Sequence, residues 1–244
     1  MPKFYCEVIE FLISLGCKTL VGDESFLTHH INGKLDGCII LHVDDFLLSG
    51  ENDFRVMVRD AIADKFKISK HEKDDFKFTG VDVSRVENGN IFIGQEIYKT
   101  SLELIDVLEG DDEKSLTKEE FRQFRGASGK LQWMAEMTRP DLSYDCLDMS
   151  CHGKDATETD LKTMDKVINT AKALKSTVKY SHIGKLDDLK ILAVTDAAYL
   201  KLEQKTRSVM GRIIFLSNKE ETKVVPLMWK SKCIPMVCKS GKDV

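Results

Sequence analysis

Residues 38–49, Cys-Ile-Ile-Leu-His-Val-Asp-Asp-Phe-Leu-Leu-Ser, place two runs of strand-forming apolar side chains around an adjacent pair of aspartates. The pattern reads as a β-hairpin with Asp44 and Asp45 at its tip. Ile39, Leu41 and Val43 alternate with Ile40 and His42, so the first strand is expected to be buried on both faces. Carboxylates beside so much apolar surface are costly to bury unless something compensates them. Aspartate is also common in exposed turns, but a solvent turn needs no apolar flanks. Mg²⁺ is one compensating group, since it takes oxygen ligands and keeps waters and substrate phosphates in its shell. Two-metal nucleotidyl transfer needs carboxylates that hold both ions roughly 3.5–4 Å apart.

The rest of the chain alternates between helical and strand periods. Phe4, Val8, Phe11, Leu12 and Leu15 share a helical face that Gly16 terminates. From Asp53 a second helix carries Phe54, Val58, Ala61, Ile62 and Phe66 on one face. Two β-prone runs flank Asn88-Gly89, a strong short-range hairpin signal. Residues 97–108 return to helical spacing, and the polar stretch 109–115 reads as a linker. Thr117 and Glu120 form a capping box that opens a long helix, with Phe121, Phe124, Ser128, Leu131 and Ala135 inside. Arg139 before Pro140 ends it. A further helix over about 158–176 buries Leu161, Met164, Ile168, Ala171 and Leu174, and strands follow around 189–200 and 208–218. The class is α+β with mostly antiparallel strands.

Charge is uneven. Residues 161–244 hold 17 Lys and Arg against 8 Asp and Glu, a net of +9, whereas residues 1–160 sum to −13. A basic C-terminal part can attract polyanions such as nucleic acid, although solvated lysines on helix and strand surfaces give the same count. No apolar run approaches the roughly 20 residues of a membrane span. The amphipathic start lacks a secretory core and cleavage site. Seven cysteines form no regular framework, which favours a reducing, intracellular setting, cytoplasmic or nuclear.

The motifs also carry a family resemblance. "LHVDDFLLSG" resembles the catalytic hairpin of reverse transcriptases. "FKFTGVDVSR", "IGQEIYKTSLELI", "RQFRGASGKLQWMAEMTRPDLSYD" and "AVTDAAYL…SVMGRIIFL…PLMWKSKCIPMVCKS" follow in the order of the copia-type long-terminal-repeat retrotransposon polyprotein. The resemblance covers nearly the whole chain. It implies a partial reverse-transcriptase palm over 1–106, a helical thumb and connection over 107–180, and an incomplete ribonuclease H-like sheet over 186–244. Asp44 and Asp45 would be Mg²⁺ ligands of the polymerase centre, with Val43 under the primer terminus. Asp196 would be the first metal-binding carboxylate of ribonuclease H. The strand around Phe78–Gly80 would lie near the primer backbone. Lys130 and Arg139 would either touch nucleic acid or stabilise the thumb. The implied partners are an RNA or DNA template-primer and the remainder of a Pol polyprotein, with no membrane.

The sequence departs from the family in three places. His42 replaces the usual aromatic residue and reads as a packed or hydrogen-bonded side chain rather than a base. Nothing in residues 1–37 matches the strand that supplies the family's other polymerase Asp. Past Ser240 the helix carrying the second ribonuclease H ligand is missing, and neither Glu203 nor Asp243 replaces it. The expectation is therefore a catalytically incomplete chain. The alternatives are a domesticated, non-catalytic nucleic-acid-binding or assembly protein, or a remnant without function. A zinc module built from Cys146, Cys151, His152, Cys233 and Cys238 is weighed against buried thiols. Gaps of five suit neither one helical face nor one strand face, which favours the thiols.

Overall fold

Helix α1 (Lys3–Ser14) buries Val8 and Leu12, as its spacing predicts. Gly16, at φ +93°, then turns the chain so that the Cys17 N–H returns to the Leu12 carbonyl. In the computed structural model, which describes residues 3–68, 70–105, 114–198 and 208–234, the chain divides into Met1–Lys73 and Asp74–Val244.

In the first unit, β1 (Lys18–Leu20), β2 (Asp23–Ile31), β3 (Lys34–His42) and β4 (Asp45–Gly50) form an antiparallel sheet in sequence order. Helix α2 (Asn52–Lys65) follows. Val8 and Leu12 of α1, and Phe54, Val58 and Ile62 of α2, pack with Leu27, Ile39 and Leu41 of the sheet. Both helices therefore cover the same face. Burial on β3 alternates: Gly37, Ile39 and Leu41 are buried, whereas Cys38 and Ile40 are only half-buried. The expected two-sided burial of this strand is thus not observed. Its second face carries the cross-strand row Phe26–Ile40–Leu47, on which neither helix of this unit packs.

In the second unit, β5 (Asp75–Phe78), β6 (Val81–Arg85) and β7 (Ile91–Gly94) form a meander through the Asn88-Gly89 turn. Of the region expected to be helical over 97–108, the described residues, which run to Ile105, hold one helical turn, α3 (Glu96–Lys99). Leu102 and Ile105 reach the core from irregular chain, where Asp165 Oδ1 accepts the Ile105 N–H at 2.9 Å. Leu108 lies outside the described residues. Helix α4 (Lys118–Met137) begins at the predicted box, with Thr117 and Glu120 capping each other. A short 3-10 turn at Pro140 leads to α5 (Ser143–His152), and α6 (Glu158–Ala173) follows. Leu131, Leu161, Met164 and Ile168 are fully buried between these helices, each worth about 1.5–3 kcal/mol of transfer free energy. Leu174, expected inside, is 53% exposed because α6 stops at Ala173 and the chain extends from there.

That extension is β8 (Thr177–Tyr180), which pairs with β7 and completes the sheet β5-β6-β7-β8. The meander is thereby joined to the helical segment that follows it. A separate antiparallel sheet, ordered β11-β10-β9, comprises β9 (Lys190–Ala198), β10 (Val209–Ser217) and β11 (Val224–Cys233). Pro226 sits on the edge strand β11 where the register shifts, a place where a missing N–H is tolerated. Trp229 Nε1 donates to the Ala135 carbonyl at 2.5 Å and docks β11 on α4. No helix among the described residues is long and apolar enough to cross a membrane.

Candidate metal and nucleic-acid site

The β3–β4 hairpin closes with a two-residue turn, Val43-Asp44, between the paired residues His42 and Asp45. Val43 is held at φ +58° and is 74% exposed. A β-branched residue in the left-handed region is a genuine outlier, with a strain of order 1–3 kcal/mol. The same sheet reverses direction twice more: between β1 and β2 the turn is Val21-Gly22, with glycine taking the positive φ of +89°, and between β2 and β3 it is Asn32-Gly33, at φ +50° and +78°. Asn-Gly suits such a turn without strain, so Val43-Asp44 is not explained by turn chemistry. Asp44 and Asp45 are both exposed. Asp45 shares its face of the sheet with Leu47 and Ile40, the face opposite the helices. The tip therefore offers two adjacent carboxylates in water on a narrow, paired support. Among the described residues no three His, Cys, Asp or Glu side chains converge as a metal-ligand group.

Asp196 lies on β9 in the second unit, opposite Gly211 of β10. It is exposed, and its Oδ1 accepts the Ala197 N–H at 2.9 Å. Gly211 leaves the sheet surface beside it open, since nothing lies within 4 Å of where a Cβ would stand.

Phe78 ends β5, and Gly80 belongs to the next turn rather than to a strand. Thr79 and Gly80 stand at φ +48° and +84° between the paired residues Phe78 and Val81. Trp133 of α4 lies 3.7 Å from the position of a Gly80 Cβ. Lys130 Nζ donates to the Ser101 carbonyl at 2.7 Å. Arg139 is buried. Its Nε and Nη2 grip Asp141 at 2.9 and 2.7 Å, and its Nη1 donates to the Ala171 carbonyl at 2.8 Å. Of the two roles open to Arg139, this geometry is that of the stabiliser. The Arg139 guanidinium in turn holds the Asp141 carboxyl below the usual range. Buried Gln95, within the "IGQEIY" element, accepts the Thr138 hydroxyl at 2.8 Å and binds the Ser176 carbonyl through its backbone N–H.

His42 pairs across the hairpin with Asp45 and is exposed. His152 contacts Asp160 through Nδ1 at 2.8 Å and approaches Asp148 through Nε2 at 4.0 Å. Cys146 is 1% exposed, and burial pushes its thiol up to about 12. Cys151 and Cys233 meet with sulfurs 3.5 Å apart. No local spacing signals that contact, because 82 positions separate them. Cys238, Glu203 and Asp243 lie outside the described residues. No protein-family model matches the chain, and no curated protein or solved structure gives a significant match.

Proposed function

We propose that this chain is part of the reverse-transcriptase and ribonuclease H region of a copia-type retrotransposon polyprotein. In this reading the β3–β4 tip supplies two carboxylates of a nucleotidyl-transfer centre. The observation that carries the proposal is the strained turn. A valine at φ +58° presents Asp44 and Asp45 to solvent, in a sheet whose other two turns place only glycine or asparagine at positive φ. Strain of this kind persists where function selects it.

The donor set suits Mg²⁺, a hard cation that prefers carboxylate oxygen. Two ions need more than two adjacent carboxylates, so a third must come from outside the hairpin. The chain alone is then a weak cation binder without efficient polymerase activity. Asp196 would play the corresponding part for ribonuclease H, with a template-primer as the shared partner.

Mn²⁺ binding, read by electron paramagnetic resonance, tests the proposal. Asp44→Asn should weaken the tightest site on the purified chain at least about tenfold, since the site keeps only one carboxylate. Unchanged Mn²⁺ affinity in that variant would remove the hairpin from the site. Robust Mg²⁺-dependent primer extension by the parent chain, abolished by Asp44→Asn, would instead show that the chain is complete. A second reading, a non-catalytic nucleic-acid binder, is favoured by the net +9 of residues 161–244. It predicts hybrid affinity that falls steeply with salt and does not change in Asp44→Asn.

A further inference from the structure

Helix α5 and strand β11 bring together two thiols far apart in sequence. Cys151 stands one residue before the end of α5, and Cys233 is the last residue of β11. Their sulfurs are 3.5 Å apart. A disulfide brings sulfurs to about 2.05 Å, so a closing movement of roughly 1.5 Å separates the two states.

The frame around the pair is fixed by contacts independent of sulfur. Trp229, on the same strand as Cys233, donates to Ala135 of α4 at 2.5 Å. Lys230 reaches Glu136 at 3.3 Å, and the Ile234 N–H closes on the Ser208 carbonyl at 2.9 Å. Helix α4 packs in turn on α5 through the buried core that includes Met134, Cys146 and Met149. The two cysteines are therefore positioned by two rigid elements rather than by meeting loops. Both are half-buried, and so open to a small reagent.

The other described cysteines differ. Cys6 is exposed on α1, and Cys17 and Cys38 belong to the first unit. Cys146 is sealed in the helical core, where burial disfavours the thiolate that oxidation needs.

We propose that Cys151 and Cys233 are a redox-responsive pair that closes to an intramolecular disulfide in exchange with a small disulfide such as oxidised glutathione. One thiolate attacks a glutathione sulfur, which breaks the glutathione disulfide and releases the first glutathione. The second thiolate attacks the protein sulfur of the mixed disulfide and expels the second glutathione. The two protein thiols lose two protons and two electrons in forming one S–S bond, and oxidised glutathione becomes two reduced molecules. In a reducing compartment the thiol form is the resting state, and the bond forms only under oxidation.

The closed bond staples the β9–β10–β11 sheet to the helical layer. It also removes conformational freedom from the unfolded chain over a long loop, the regime in which a cross-link stabilises most. Asp196 rides on this sheet, so the hold of the sheet on the helices becomes redox-dependent whether or not Asp196 binds metal.

The test uses the full chain equilibrated in glutathione buffers and compared with the same protein in dithiothreitol. Oxidation should lower the mass by about 2 Da, the loss of two hydrogens. A proteolytic peptide joining Cys151 to Cys233 should appear. Tm should rise by roughly 5–15 °C over the reduced protein. Cys151→Ser and Cys233→Ser should each abolish the cross-link and the redox-dependent Tm difference, whereas Cys238→Ser should keep both. A dominant cross-link to Cys146 or Cys238, persistent glutathione adducts without closure, or a closed bond that leaves Tm unchanged would each overturn the proposal. The parent protein's own reduced and oxidised forms carry the comparison if a serine variant fails to fold.

Discussion

Replacing Arg139 with alanine should cost roughly 2–4 kcal/mol of stability, enough to unfold the second unit at temperatures where the parent is folded. The side chain is 3% exposed, so the buried carbonyls it serves lose their donor when it is removed, whereas Asp141, 46% exposed, is rehydrated. Three partners are lost together: Asp141 and the carbonyls of Ala171 and Thr170, the last at 3.3 Å. Asp141 loses a two-pronged hold at 2.9 and 2.7 Å. The Ala171 carbonyl, in the last turn of α6, loses its donor at 2.8 Å. That carbonyl has no partner inside the helix, and the cation at this end also favours the helix dipole. Arg139→Lys keeps the charge but not the planar fork, and should still cost roughly 1–2 kcal/mol.

The pH dependence has a definite sign. Arg139 lowers the Asp141 pKa in the folded state from the ordinary 3.8. Its stabilisation is therefore complete above 3.8 and lost as pH falls through the lowered folded value. Urea unfolding followed by circular dichroism should show that acid-side slope in the parent and not in Arg139→Ala. A loss below about 1 kcal/mol in the alanine variant would show that the buried guanidinium is dispensable, contrary to its contacts.

Elements that local sequence patterns can encode were legible. The capping box at Thr117–Glu120, the glycine stop at Gly16 and the hairpin at Asn88-Gly89 all stand where their side chains require them. What the sequence did not reveal depends on partners distant in the chain. Strand β8 is four residues with little period of its own, and it exists because Ile91–Gly94 offers an edge to pair with. The stretch after Lys99 has helical spacing, yet Leu102 and Ile105 are buried without a helix, because the helical core and Asp165 take up their contacts. The same limit applies at the candidate site. The adjacent aspartates and their apolar flanks could be read directly. The strain at Val43 could not, since it depends on the exact register of His42 with Asp45. Arg139 stood in a motif that left two roles open, and only its three-dimensional partners separate them.

Gly50→Ala should be the most damaging single-methyl change in the first unit, at about 3 kcal/mol or more. Gly50 lies at φ +144°, a conformation that side chains rarely adopt. A Cβ there would stand 2.5 Å from both the Asp36 carbonyl oxygen and the Gly37 Cα. Both are backbone atoms of the neighbouring strand and cannot swing aside as a side chain would. The Asp36 carbonyl is also committed, since it accepts the Glu51 N–H at 2.9 Å.

The space is empty for a reason visible on the other side of the pair. Gly37 faces Gly50 across β3 and β4, and Phe54 of α2 lies directly over Gly37, where a Cβ would overlap its ring. Phe54 is 2% exposed and stacks on His29 at 5.2 Å, which in turn contacts Asp36 at 2.9 Å. The two glycines thus form the floor on which the α2 ring rests. Gly37→Ala should also destabilise, but chiefly through Phe54, so its cost in a Phe54→Ala background should shrink by more than 1 kcal/mol, a coupling expected only of residues in contact. The Gly50→Ala cost should persist in that background, because its clash is with backbone. Chemical denaturation of the parent, the three single variants and the two double variants separates these outcomes. Equal rescue of both glycine variants by Phe54→Ala would mean that the strand backbone yields at Gly50. The β3–β4 pairing would then be too pliable to hold Val43 in its strained turn, and the hairpin tip would lose the rigidity on which its carboxylate geometry depends.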